Sequence, residues 1–392
     1  MAARGGAALA VLALVCGTMG VAVSCIPPHE VDASLRRSTV FAAETASGHE
    51  LRAREPAEEG AVVLVVIDGA RWQDVFVGGD PQLSAEARIP VSSAEALMPH
   101  LHALVAERGS ALGAPGHGPA IAASGPNFVS LPGYTEIFTG RRRHDCADND
   151  CAAARLPTVM DEARAETSRP SDVAVFASWD KIERAASADP ASLVISTGRF
   201  WTSHAESLRD DDGTREALER GAHADAFPGH GDFRPDRYTA ALALRYLEVK
   251  RPRLMFLGLG EPDEYAHEDD YAGYLASLRA CDATLGALFE VLGRMGARGE
   301  HTTVLVTADH GRGRDYRVHG RAFPESARVW LVAAGSGIEA RGLAQATRPH
   351  HLADVAPTVR ALLHLPADLG PAAGAPVDEL FAAPPQHTAM QP

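Results

Sequence analysis

Asp309 and His310 stand side by side just after the β-branched run Thr302–Val306. A carboxylate oxygen beside an imidazole nitrogen suits a divalent transition metal such as zinc. The carboxyl end of a strand is also where open α/β sheets place their ligands. His319 follows His310 by nine residues, within reach of the same place. Two further apolar runs end alike: Ala61–Ile67 leads into Asp68, and Arg253–Gly260 is followed by Asp263 and His267. Asp263 and His267 are four apart, so one helical turn puts both on one face. Six oxygen and nitrogen donors divide into two three-ligand sites. Two zinc ions held close together polarise a phosphoryl group and stabilise both the attacking and the leaving oxygen.

Ser130 supplies a hydroxyl that a metal could activate by stabilising its alkoxide. It opens a stretch in which Pro132 fits a first helical turn and Gly140 its stop. At such a helix start, unpaired N–H groups and the dipole favour an anion. Each residue also has an ordinary reading. Asp68 and Ser130 could cap helices, Asp263 and His267 could be a surface i,i+4 pair, and Arg312 and Arg314 could be solvated charges. All the candidates, however, fall just after a buried strand or at a helix start. His100, His117, His204, His230, His350 and His351 lack such spacing and read as surface or core residues.

The elements behind these residues alternate strand and helix, which predicts an α/β fold: a three-layer α/β/α sandwich with a mainly parallel central sheet. Ala61–Ile67 is apolar on both faces, as a central parallel strand must be. Further strands are expected at 172–177, 192–196, 253–260, 302–307 and 328–333. Helices are expected at 94–108, 130–140, 156–166, 236–250, 271–295 and 351–364. Residues 202–235 read as a polar surface excursion, one that could cover the pocket. The catalytic domain spans 59–368, preceded by a linker over 26–58 and followed by an Ala- and Pro-rich flexible tail, 369–392.

The chain has 392 residues and a formal net charge of −14. That excess of acid argues against a nucleic-acid-binding surface. Residues 1–25 read as an export signal, with a basic start and an apolar stretch ending at Ser24-Cys25. Ala22-Val23-Ser24-Cys25 is similar to a bacterial lipobox with Ala in place of the usual Leu. Membrane attachment through a lipidated Cys25, simple cleavage and a retained membrane anchor are the three readings of this segment. The protein is expected outside the cytoplasm: periplasmic, membrane-anchored or extracellular. There Cys146 and Cys151 are expected to pair, with Cys281 a buried free thiol.

The ordered set Ile67-Asp68-Gly69, Ser130-Leu131-Pro132-Gly133-Tyr134 with Thr139-Gly140, Asp263-x-x-x-His267, Ala308-Asp309-His310-Gly311 and His319-Gly320 resembles the alkaline phosphatase superfamily. It looks most like the type I phosphodiesterase/nucleotide pyrophosphatase-like branch of secreted bacterial enzymes, over about residues 60–365. The resemblance implies two divalent metal ions, zinc by family habit. Asp263, His267 and His319 would hold one, and Asp68, Asp309 and His310 the other, with Ser130 touching the metals. It implies a small-molecule phosphoric ester as substrate, in-line attack by Ser130 and a phosphoseryl intermediate. Ser130 stands ten residues before Gly140, which matches the family nucleophile better than Thr135 does. An Asn after Thr-Gly holds a phosphoryl oxygen in related enzymes, and Asn149 is the candidate.

The departures also carry information. Tyr134 replaces the Arg of the sulfatase maturation motif. The short interval between His310 and His319 lacks the insertion of the nucleotide pyrophosphatases. The stretch from Ser130 to Asp263 is too short for the inserted domain of cobalamin-independent phosphoglycerate mutases. Sulfate or phosphonate ester hydrolysis on the same site, or a non-catalytic metal-binding envelope lipoprotein, are the alternatives.

Overall fold

The structure, a computed structural model, describes residues 60–382 apart from positions 143, 144, 369 and 371. The expected export signal, Cys25 and the whole linker lie outside the described residues. Twelve strands are described in chain order: β1 (Ala61–Ile67), β2 (Gly109–Leu112), β3 (Ile121–Ala122), β4 (Val173–Ala177), β5 (Val194–Thr197), β6 (Trp201–Thr202), β7 (Leu254–Leu259), β8 (Thr302–Thr307), β9 (Arg328–Val329), β10 (Leu331–Gly335), β11 (Gly342–Leu343) and β12 (His350–His351). Nine of them form one sheet in the order β11-β2-β10-β8-β1-β7-β4-β5-β6, and β12-β3-β9 form a small second one.

β1 is buried along its whole length and lies between two parallel neighbours, β7 and β8. β4 and β5 extend the parallel run beyond β7. β10 and β6 run antiparallel at the flanks. Ile67 pairs with Leu259, and Val66 with Thr307. The three parallel strands therefore end together, and whatever follows each of them emerges at one edge of the sheet.

Five helices matter most here: α1 (Ser130–Thr139), α2 (Asp236–Lys250), α3 (Glu261–His267), α4 (Tyr271–Arg294) and α5 (Val355–Leu363). α5 packs on β1, α2 on β4 and β7, and α4 against both α2 and α3. Among the described residues no helix is long and apolar enough to cross a membrane.

Four expectations need correction. The helix at 94–108 is two helices, Ala94–Leu97 and Pro99–Arg108, with non-helical Met98 between them. Pro99 excludes the residue before it from the helical region. The strand at 328–333 divides at Trp330 into β9 and β10, which belong to different sheets. Residues 202–235 contain the helices Ala205–Arg209 and Asp212–Ala222, and end in buried Phe233 and Arg234. Among its described residues the tail is packed as far as Phe381. Val377 and Leu380 are buried, Gly374 donates to the Gly140 carbonyl at 2.8 Å, and Glu379 meets buried His350 at 3.1 Å. His350 in turn meets Asp354 at 3.0 Å. A composition rich in Ala and Pro concealed two apolar anchors and one ionic one. Cys146 and Cys151 form a disulfide. Cys281 is free and buried, with its thiol pushed well up by that burial.

Candidate active site and metal centre

Ser130 is the first residue of α1, and Gly140 ends the helix with φ +68°. That left-handed conformation is cheap only for glycine. Ser130 Oγ lies 3.3 Å from His310 Nε2 and 3.4 Å from Asp68 Oδ1. Thr135 points elsewhere, its hydroxyl donating to the Leu131 carbonyl within α1 at 2.8 Å. Asn149 comes to the same helix start, where its Oδ1 accepts from Leu131 N at 2.9 Å. This changes the expected anion site. Leu131 has its N–H engaged and Pro132 has none, so the first turn offers an anion its dipole more than free donors.

The six expected ligands gather as two groups of three, Asp68 with Asp309 and His310, and Asp263 with His267 and His319. The first group is wholly buried, while His267 keeps 46 % of its side chain exposed. Asp68 follows β1, Asp263 and His267 share one face of α3, and Asp309 and His310 follow β8. His310 Nε2 is 3.4 Å from Asp68, 3.5 Å from Asp309 and 3.8 Å from Asp263. His267 Nε2 is 2.9 Å from Asp263 Oδ2 and 3.0 Å from His319 Nε2.

Tyr134 and Arg312 make contacts that were not foreseen. Tyr134, one turn after Ser130, donates its hydroxyl to Asp68 Oδ2 at 3.1 Å. Its i+4 spacing from Ser130 was a usable signal. Arg312, for which a solvated charge was the ordinary alternative, is buried. Its Nη1 donates to Asp263 Oδ1 and its Nε to the Tyr316 carbonyl, while Nη2 reaches the Arg317 carbonyl at 3.0 Å. Arg314 is exposed. Gly69, at φ +61°, leaves the room these groups fill, since a Cβ there would stand 2.4 Å from Asp263 Oδ1.

The electrostatics are those of a site built for cations. Burial, then the neighbouring Asp68 charge, push the Asp309 carboxyl well up. Burial alone would lower His310, but Asp309 and Asp68 outweigh it and raise the imidazole to about 9. Burial, with His310 and Arg312 nearby, holds His319 far below the usual imidazole range.

The donors fit a pair of divalent cations. Asp309 Oδ2 is buried with no hydrogen-bond partner, a cost that a metal ion would remove. His310 Nδ1 donates to the Gly311 carbonyl at 2.8 Å and His319 Nδ1 to the Phe128 carbonyl at 3.0 Å. Each contact fixes the tautomer that leaves Nε2 as a lone pair facing the cluster. Mixed oxygen and nitrogen donors in threes suit catalytic zinc.

Residues 233–367 match the family model described as Metalloenzyme superfamily. The matched segment holds five of the six ligands, while Asp68 and Ser130 precede it. The fold is similar to wild-type alkaline phosphatase PafA, with a TM-score of 0.58 at 13 % identity over 84 % of this chain and 100 % of that one. It is also similar to a 2-O GAG sulfatase, with a TM-score of 0.53 at 12 % identity over 80 % and 72 % of the two chains. A third neighbour is the phosphonate monoester hydrolase of Agrobacterium radiobacter, with a TM-score of 0.51 at 14 % identity over 81 % and 76 %. At these identities the likeness is one of fold. Among curated sequences, 87 residues (21 % of the chain) are 32 % identical to a 2,3-bisphosphoglycerate-independent phosphoglycerate mutase of Haloarcula marismortui, spanning 16 % of that protein. The corresponding enzyme of Desulforudis audaxviator is 29 % identical over 141 residues, 34 % of this chain and 26 % of its own length. The chain thus matches well under two thirds of either relative.

Proposed function

We propose that this protein is an exported two-zinc hydrolase of phosphoric esters, related to the type I phosphodiesterase/nucleotide pyrophosphatase-like branch. The observation that carries the reading is the meeting of two three-ligand groups, joined through His310 and Asp263, with the Ser130 hydroxyl set against Asp68 and His310 of one of them. Asp263, His267 and His319 hold one cation; Asp68, Asp309 and His310 hold the other. When bound, the two ions supply Lewis-acid polarisation of the phosphoryl group and lower the pKa of the coordinated hydroxyl. The protein's own work is placement. β1, β7 and β8 bring the ligands to one sheet edge, and α1 aims Ser130 Oγ at them. Ser130 attacks phosphorus in line. Its Oγ–P bond forms as the bond from phosphorus to the ester oxygen breaks, and water then cleaves the phosphoseryl ester. The α1 dipole favours the negative charge at this point. Asn149, held by Leu131 N–H through its Oδ1, keeps its Nδ2 donors for a phosphoryl oxygen. Helices packed on β1, β4 and β7 support the three-layer arrangement.

Sulfate or phosphonate ester hydrolysis at the same centre is the second reading, supported by the shared fold with a sulfatase and a phosphonate monoester hydrolase. Tyr134 in place of the maturation-motif Arg weighs against a formylglycine sulfatase.

The test is kcat/KM for a phosphodiester against the matching phosphomonoester, on zinc-loaded protein lacking residues 1–25. A ratio well above one supports the phosphodiesterase branch, and a ratio well below one makes the protein a phosphatase. Turnover of neither ester, with sulfate or phosphonate esters cleaved instead, would overturn the phosphoric-ester reading.

A further inference from the structure

α3 carries two of the candidate ligands, Asp263 and His267, yet it is only seven residues long and Gly260 gives it no side-chain cap. Its first N–H groups are met from a distance. Asp236 Oδ1 accepts from Gly260 N at 2.8 Å, and Oδ2 accepts from Glu261 N at 3.0 Å. Ser178, the residue after β4, donates to the same Oδ1 at 2.5 Å. Behind Ser178, at 3.0 Å, stands Thr239 Oγ1, which accepts from Arg234 Nε at 3.0 Å. Arg234 is buried and tied to the ends of β4 and β5 through Ser196 Oγ at 2.9 Å, Ser196 O at 2.9 Å and Ala177 O at 3.2 Å. Phe233 closes on Gly260 so tightly that a Cβ there would stand 2.8 Å from its ring. The last residues of the 202–235 excursion thus lead into a buried brace beneath α3.

Asp236 is reached by donors on both oxygens, so it serves as a carboxylate, and every contact leads to the start of α3 or to strand ends. The other metal group is held by different means: Tyr134 on Asp68, Gly69 N on Asp309 at 3.1 Å, and Gly311 O on His310. From this asymmetry we infer that Asp236 is a positioning residue for the Asp263–His267–His319 metal group, setting that group's affinity and not the other's. The inference rests on the two-metal reading above.

Zinc counted per full-length chain at buffered free-zinc concentrations tests it. Asp236→Asn turns one acceptor into a donor that faces an N–H. The expected result is an about ten- to hundredfold weaker affinity at one site, the usual effect of losing an outer-shell partner, with the other site unchanged. Combining it with His319→Ala should still leave one zinc at wild-type affinity, whereas combining it with Asp309→Asn should leave only the weakened site. Asp282→Asn is the control. Its carboxylate accepts from His100 N and Leu101 N at 3.0 and 2.8 Å, the same service to a helix without ligands, and it should leave both zincs in place. Should Asp236→Asn fail to fold, Ser178→Ala should weaken the same site in the same direction. Both zincs held at wild-type affinity in the folded Asp236 variant, or in Ser178→Ala where that variant does not fold, would overturn this inference alone. The same loss in Asp282→Asn would also overturn it. A wild-type chain that binds no zinc overturns the two-metal reading, and this inference with it.

Discussion

Ser130 and its neighbours divide the work of the site between making a bond and holding metal. Ser130 Oγ sits against both Asp68 and His310, but it is not needed to complete either three-ligand group. Ser130→Ala should therefore lower kcat by about 10³-fold or more, the scale of losing a nucleophile, while two zinc ions per chain remain. Turnover within tenfold of wild type would remove Ser130 from the role. Loss of a zinc would make it a ligand of more weight than the geometry implies. Arg312 marks the opposite outcome of reading residues singly. An arginine two residues after an Asp-His pair is usually solvated. Here the loop folds back so that the Tyr316 and Arg317 carbonyls hold its guanidinium against Asp263, a closure that no spacing rule reports.

At the scale of elements, the sheet edge was legible and the loops were not. Three apolar runs ending in Asp68, Gly260 and Thr307 suffice to place five ligands, because parallel strands that pair in register end together. α1 was legible through Pro132 and Gly140, which mark its two ends. Asp236 was not, because its role depends on where α2 begins relative to α3, a fact of packing. Nor was the packed tail, whose anchors are scattered among Ala and Pro. Asn149 lies between these cases. The disulfide-braced loop of Cys146 and Cys151 delivers it to α1, and two roles meet in one side chain. Asn149→Asp keeps the acceptor for Leu131 N–H and removes the Nδ2 donors, so it should keep the melting temperature within about 2 °C and lower kcat by about 10–100-fold, the range for a lost oxyanion donor or slightly below. Asn149→Ala should lose both stability and turnover. If Asn149→Asp retains full activity, the residue serves only as a cap.

Across the whole molecule, the site stores opposed charges that folding alone does not reconcile. Three carboxylates and three imidazoles meet where strands converge, and one Asp309 oxygen is buried without a hydrogen bond. A cation that binds the folded chain and not the unfolded one adds about 2.7 kcal/mol at a hundredfold excess over its dissociation constant. For a chain of this size that is on the order of 5 °C in melting temperature for each site. Removing metal with a chelator should therefore lower the melting temperature by at least that much, and the drop should depend on pH. In the metal-free protein His310 is raised to about 9, above its unfolded value of about 6.5. Its favourable contribution is then complete below about pH 6.5 and is lost as pH rises through 9. Bound metal competes with the His310 proton, so its grip tightens over the same range. The difference in melting temperature between zinc-loaded and stripped protein should be larger at pH 9 than at pH 6.5. A difference that shrinks with rising pH would mean that His310 Nε2 does not face the metal.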